Sequence, residues 1–266
     1  MKVNFGGFVP ASTVDWRGRA VCTVFLRGCP LRCSYCQNAS IQTGVDLREL
    51  EEVVSLIREA APLVSGVVFS GGEPTLQKAA LAVLAEAARE MGLATALQTN
   101  GYFPDVLESL LSRLLLDRVA IDYKTKWEGF SGRIRGYCGT TRETYQERVT
   151  ASIAACREAA SRGDLREYEV VATIFPGNEN EVFSISQATR GIPLVLQQGE
   201  RKASWGAWSL PKGAEVPAPL PDGPPLSLHD LKRLADQLAR PVRIRTREGG
   251  ELAYESDRRR WIACER

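Results

Sequence analysis

Three cysteines, Cys29, Cys33 and Cys36, fall in the run Phe25-Leu-Arg-Gly-Cys-Pro-Leu-Arg-Cys-Ser-Tyr-Cys-Gln-Asn38. Their spacing, Cys-x3-Cys-x2-Cys, supplies three thiolates from one tight loop. A cubane [4Fe-4S] cluster has four irons, and ligation by four cysteines closes all of them. Three ligands leave one iron open to bind something that reacts. A structural zinc site would need a fourth Cys or His, usually from a second closely spaced pair. The chain has one histidine, the distant His229, and no second Cys-x2-Cys pair. The loop therefore reads as an iron-sulfur site with an open iron, with buried structural cysteines as the plainer alternative.

Further segments carry chemistry at the ends of apolar runs. Val67-Val-Phe-Ser-Gly-Gly-Glu-Pro74 reads as a buried strand whose backbone turns sharply at paired glycines, where glycine permits close approach. Residues 95–101, ending in Thr99-Asn100-Gly101, and residues 118–124, ending in Asp122-Tyr123-Lys124, are two more strand candidates with polar C-termini. Parallel α/β barrels place their chemistry at strand C-termini.

Strand-like and helical runs alternate along most of the chain. A strand over 21–26 leads into the cysteine loop, and helices are expected over 46–61, 76–92, 105–116 and 144–161. A strand over 167–175, a weak helix over 180–189 and a strand over 192–198 follow. This alternation implies a parallel sheet with helical crossovers. Residues 211–225 are rich in proline and glycine and read as an extended connector. A helix then restarts with Ser227 as N-cap and Asp230 supporting its first turn, followed by a short strand over 240–245. The arginines of that strand, with Arg258, Arg259 and Arg260, read either as a solvated surface or as a docking face for an acidic partner or RNA phosphates.

The cysteine loop, with Tyr35 just before the third cysteine, resembles the signature loop of the radical S-adenosylmethionine (SAM) superfamily. Gly71, Gly72, Glu73 and Pro74 resemble the Gly-Gly-Glu-Pro motif of the same superfamily. The resemblance implies one [4Fe-4S] cluster on Cys29, Cys33 and Cys36, whose open iron chelates SAM. An electron from the cluster then cleaves the sulfonium to give a 5'-deoxyadenosyl radical. It also implies SAM contacts from Tyr35, Gly71, Gly72, Glu73 and Pro74, with Thr99 and Asn100 at the cofactor's rim and Asp122 and Lys124 near the ribose. The implied fold is α/β, a partial (β/α)6 TIM-type barrel over residues 1–200. Residues 201–266 then form a connector plus a C-terminal helix-strand extension packed on that core.

Within the superfamily the chain is most similar to activating proteins of anaerobic ribonucleotide reductase and to pyruvate formate-lyase activating enzymes. The similarity extends to the opening residues 5–19 and to the tail from Pro224 to Arg245. It implies a glycyl radical protein as partner, and a flavodoxin or ferredoxin as one-electron donor. Two departures stand out. The family's acid before Thr-Asn-Gly, which helps hold a monovalent cation, is Gln98 here. The family's later-strand arginine for the SAM carboxylate is missing from Val170-Val-Ala-Thr173. Asp122 remains a candidate cation ligand. The alternative function is radical modification of a tRNA base or a purine-like small molecule.

Composition agrees with a catalytic domain. The formal charge of +2 over 266 residues provides no global field for nucleic acid, which is not a favoured partner. No apolar run is long enough to span a bilayer, so no membrane is expected. Seven cysteines with metal-type spacing suit a reducing cytoplasm better than a disulfide scaffold.

Overall fold

A computed structural model describes residues 1–33, 35–124, 128–130, 133–134, 137–138, 142–200 and 223–255, with the backbone path alone between 128 and 142. Most of the connector expected at 211–225, the arginines at 258–260 and the side chains of Cys138 and Cys264 lie outside the described residues. The described strands are β1 (Lys2–Ser12), β2 (Val21–Leu26), β3 (Leu31–Cys33), β4 (Leu47–Glu49), β5 (Gly66–Gly71), β6 (Ala94–Thr99) and β7 (Arg118–Tyr123). After them come β8 (Glu128–Phe130), β9 (Arg133–Ile134), β10 (Tyr137–Cys138), β11 (Glu167–Ile174), β12 (Leu194–Gln198), β13 (Val242–Thr246) and β14 (Gly250–Tyr254). The helices are α1 (Leu50–Ala60), α2 (Lys78–Glu90), α3 (Pro104–Ser112), α4 (Arg142–Ser161), α5 (Glu179–Ala188) and α6 (Leu228–Leu238). Two compact units divide the chain: Met1–Arg32, Cys36–Ile121 and Phe130–Tyr168 form the first, and Cys33–Tyr35, Asp122–Gly129 and Glu169–Arg266 the second.

In the first unit β2, β5, β6 and β7 run parallel, with Val68 opposite both Thr23 and Ala96, and Leu97 opposite Val119. Val67, Val68, Phe69, Ala96 and Leu97 are all fully buried. Strands covered on both faces need apolar residues at successive positions, and for that reason 67–69 shows no alternation. Helix α1 buries Val53, Val54 and Ile57 while its acids Glu51 and Glu52 sit in the first turn, favourable against the helix dipole.

β1 was not expected as a strand. It pairs antiparallel with β2, and β4 pairs with it in turn. Gly6, Gly7 and Pro10 break the usual strand composition, and the β1–β2 register shifts between Phe5 and Gly7 and again between Val9 and Ser12. Such bulges let glycine and proline occupy a strand that pattern alone conceals. Trp16, buried in the turn after β1, packs with Val21, Val68 and Ala96 and donates from its indole to Glu167 at 3.2 Å.

In the second unit β11, β12 and β13 run parallel, and β14 returns antiparallel to β13. The C-terminal strand therefore continues the parallel array beyond β12, with Val195 opposite Arg243. All six strands expected for the α/β core are present, as β2, β5, β6, β7, β11 and β12. Within the first unit the strand order runs β4-β1-β2-β5-β6-β7, and within the second β11-β12-β13-β14. Helix α6 starts as expected: the Ser227 hydroxyl accepts from the Asp230 N–H, and the Asp230 carboxylate accepts from the Ser227 N–H.

The arginines of β13 are engaged in ion pairs and keep only part of their surface in water. Arg243 and Arg245 point to one side of the strand and both pair with Glu169 and Glu251. Glu169, on β11, keeps only 4% of its side chain exposed, so both guanidiniums are recruited by an acid far away in sequence. Glu169→Ala should lower unfolding free energy by about 2 kcal/mol, read from urea denaturation. That is less than the ~3–5 kcal/mol of a fully buried broken pair, because the guanidiniums remain partly in water.

Candidate functional site

In the first unit the Gly-Gly turn after β5 is laced to the start of the cysteine loop. Gly72 N–H donates to the Leu26 carbonyl at 2.9 Å and Glu73 N–H to the Gly28 carbonyl at 2.7 Å. The fit excludes side chains: a Cβ on Gly71 would lie 2.3 Å from the Leu26 oxygen, and one on Gly72 only 2.2 Å from the Gly28 oxygen. Gly71 also has φ of +131°. The paired glycines are thus required by backbone-on-backbone contact. From the other side, the loop is held by Gly28 N–H to the Ile41 carbonyl and Cys29 N–H to the Gln42 carbonyl.

Glu73 is completely buried. One carboxylate oxygen accepts from the Thr75 N–H at 3.1 Å, from the Thr75 hydroxyl and from the Thr99 hydroxyl at 2.7 Å. Its other oxygen accepts from the Asn100 N–H at 2.7 Å. Burial pushes this carboxyl above the usual range, against the pull of the donated hydrogen bonds. The acid therefore ties the turn after β5 to the Thr-Asn-Gly turn after β6. Glu73→Gln would set an amide donor against one of these donors, and should cost about 1–3 kcal/mol in urea unfolding.

The Thr-Asn-Gly turn is braced again by α4, a support that sequence reading missed. Tyr145 hydroxyl donates to the Asn100 carbonyl at 3.1 Å and Ser152 hydroxyl to the Gly101 carbonyl at 2.8 Å. Their seven-residue separation puts them on one helix face, which is a detectable signal only once the turn is known to lie opposite. Gln98, standing where an acid was looked for, accepts from the Ser70 hydroxyl at 2.8 Å and donates to the Asp15 carbonyl at 3.3 Å. Its amide is used within the sheet.

Cys29 is buried, with its sulfur accepting from the Leu31 N–H at 3.4 Å and from the Asn100 amide at 3.7 Å. Burial pushes its thiol up to about 12, with the Glu73 carboxylate adding to the effect. Two donors aimed at a sulfur suit a thiolate, whose charge a bound metal would stabilise in a buried place. Cys29, Cys33 and Cys36 all carry free thiols. Among the described residues no three His, Cys, Asp or Glu side chains are gathered tightly enough to hold a single metal ion. A cubane takes one thiolate per iron, so its ligands spread more widely than those of one ion. The donor set fits a cluster.

The second unit holds an aromatic and cationic group of its own. Lys124 pairs with Asp122 at 3.3 Å and lies 5.5 Å from the centre of the Tyr35 ring. Tyr35 in turn packs on Phe175, with ring centres 4.9 Å apart. The Lys124 ammonium is thus held between a carboxylate and a π face, with 12% of its side chain exposed. Arg32 is a further residue the sequence reading passed over, although its place between Cys29 and Cys33 marks it.

Residues 23–182 match the family model described as Radical SAM superfamily. The chain belongs to the radical SAM superfamily. Members use a [4Fe-4S] cluster and SAM, and this chain is an enzyme of that kind. It is 28% identical over 94% of its length to a Methanocaldococcus jannaschii protein named provisionally as a glycyl-radical enzyme activating enzyme, covering 98% of that relative. It is also 41% identical over 87 residues, 31% of the chain and 36% of the relative, to the 7-carboxy-7-deazaguanine synthase of Hyperthermus butylicus. Among solved structures, that of TYW1 with a lysine-pyruvate adduct bound is similar in fold, with TM-score 0.55 at 15% identity over 86% of this chain and 77% of the other. No helix among the described residues is long and apolar enough to cross a membrane.

Proposed function

We propose that this radical SAM enzyme generates a glycyl radical on a partner protein. The observation that carries the reading is the similarity to the Methanocaldococcus jannaschii protein, which runs through almost the whole of both chains and includes the tail with α6 and β13. Superfamily chemistry alone would not require likeness in that tail. When bound, the cluster and SAM supply a carbon radical able to abstract hydrogen.

Cys29, Cys33 and Cys36 are assigned as the three iron ligands. The Gly71-Gly72 backbone, pressed against the loop with no room for a Cβ, is assigned to the methionine end of SAM through its carbonyl oxygens. Glu73 and Pro74 follow it, and Glu73 positions Thr99 and Asn100 while contributing its negative charge toward an amino group. Tyr35, Asp122 and Lys124 are assigned to the nucleoside end, where the lysine ammonium, steadied by Asp122 and the Tyr35 ring, can donate to an oxygen. With Gln98 in the acid's place, a monovalent cation would depend on Asp122. A reduced flavodoxin or ferredoxin is the expected electron source.

Reduced enzyme, SAM and the right partner should give an electron paramagnetic resonance doublet from a carbon radical on the partner, and deuterium should pass from its glycine into 5'-deoxyadenosine. The local similarity to a 7-carboxy-7-deazaguanine synthase favours a second reading, action on a purine-like molecule or a tRNA base. Substrate-dependent 5'-deoxyadenosine with such a compound, and none with any glycyl radical protein of the same cell, would select it.

A further inference from the structure

Arg32 sits between Cys29 and Cys33 and is 94% buried, with 6% of its surface exposed. One terminal nitrogen donates to the Cys29 and Leu31 carbonyls, each at 2.8 Å. No carboxylate among the described residues forms an ion pair with it. Its guanidinium carries a full positive charge into the protein interior. Burying it without an acid is costly unless an anion is bound beside it. The ligand set supplies one: three thiolates on an oxidised cluster of charge 2+ leave a net charge of 1−, which becomes 2− when an external donor delivers one electron.

We propose that Arg32 is the counter-charge of the iron-sulfur cluster, and that it sets the ease of reduction by stabilising the more negative reduced state. Arg32 is thus a positioning and tuning residue, which acts through the Cys29 segment it clasps and through its field. The backbone bonds to Cys29 and Leu31 keep the guanidinium against the same segment whose Leu31 N–H donates to the Cys29 sulfur. The inference rests on the cluster assignment, which an iron assay tests separately.

The experiment is a redox titration of anaerobically reconstituted Arg32→Gln, Arg32→Lys and unaltered full-length protein, followed by electron paramagnetic resonance, with iron and sulfide measured on the same samples. At the poise that half-reduces the unaltered cluster, Arg32→Gln should show about a tenfold lower ratio of reduced to oxidised cluster, equivalent to about 59 mV for one electron. Arg32→Lys, which keeps the charge, should stay close to the unaltered protein. An unchanged midpoint in a fully loaded Arg32→Gln protein overturns the inference while leaving the cluster intact. Should Arg32→Gln fail to load iron, the lysine variant decides: a native midpoint supports the role of charge, and a shift of that tenfold size overturns it. Failure of both variants to fold or load would also overturn it, leaving Arg32 as a brace of the loop. Absence of iron from the unaltered protein would instead reject the cluster assignment itself.

Discussion

Cys33→Ala protein is expected to lose SAM cleavage altogether, and the same holds for Cys29→Ala and Cys36→Ala. Anaerobically reconstituted native protein should carry about four irons and four sulfides, and each alanine variant should carry fewer or none. The effect is large because a cubane with three protein ligands has none to spare: losing one frees a second iron and opens the cluster to solvent and oxidant. Cys156→Ala provides the comparison. Cys156 is fully buried on α4 and burial pushes its thiol up to about 12, so it behaves as a small apolar side chain and should leave iron content unchanged. Full cleavage activity in Cys33→Ala protein would sink the assignment, as would stoichiometric zinc with no iron-sulfur absorption in the native protein.

Gly72→Ala should be among the most damaging single-methyl additions at the described glycines. The added Cβ would meet the Gly28 oxygen at 2.2 Å and the Gly28 carbonyl carbon at 2.7 Å. Both are backbone atoms, and the strand β2 they follow is paired along its length with β5, so neither can step aside cheaply. A loss of about 3 kcal/mol or more is expected, read from the urea midpoint, with reduced iron loading because the loop entry must move. Gly163→Ala makes the contrast. Gly163 has φ of +80° with open space around its Cβ position, so only backbone strain applies, at about 1 kcal/mol. Equal midpoints for these two variants would refute the close-contact account of the Gly-Gly turn.

Local pattern was enough wherever a segment's partners are near in sequence or its burial is two-sided. The apolar run 67–69 could only be an interior strand, and Ser227 with Asp230 could only open a helix. Among the strands that escaped, β1 and β14 are antiparallel strands toward the edges, where alternation is weak and glycine is tolerated at bulges and turns. The helix expected over 46–61 begins at Leu50, because residues 47–49 are drawn off to pair with Lys2, Val3 and Asn4. That pairing spans more than forty positions and leaves no local trace. For the arginines of β13 the charge is visible in sequence, but the buried acid that draws both together, Glu169, is more than seventy positions away.

What the sequence by itself determined is the chemistry available. Three thiols at Cys29, Cys33 and Cys36, a glycine pair before Glu73 and the polar strand ends at Thr99-Asn100 and Asp122-Lys124 are covalent facts, and their spacing restricts the cofactor class before any fold is known. What tertiary structure alone decided is how each group is spent. Glu73 is spent on holding Thr75, Thr99 and Asn100, and Gln98 on Ser70 and Asp15. Lys124 stands between Asp122 and Tyr35, and Arg32 remains a buried cation clasping the cysteine loop. Hydrogen bonds and ion pairs act over about 3–4 Å. The parallel crossovers that bring such groups within that range join positions tens of residues apart, so the pairing is a property of the packed chain and not of any stretch of it.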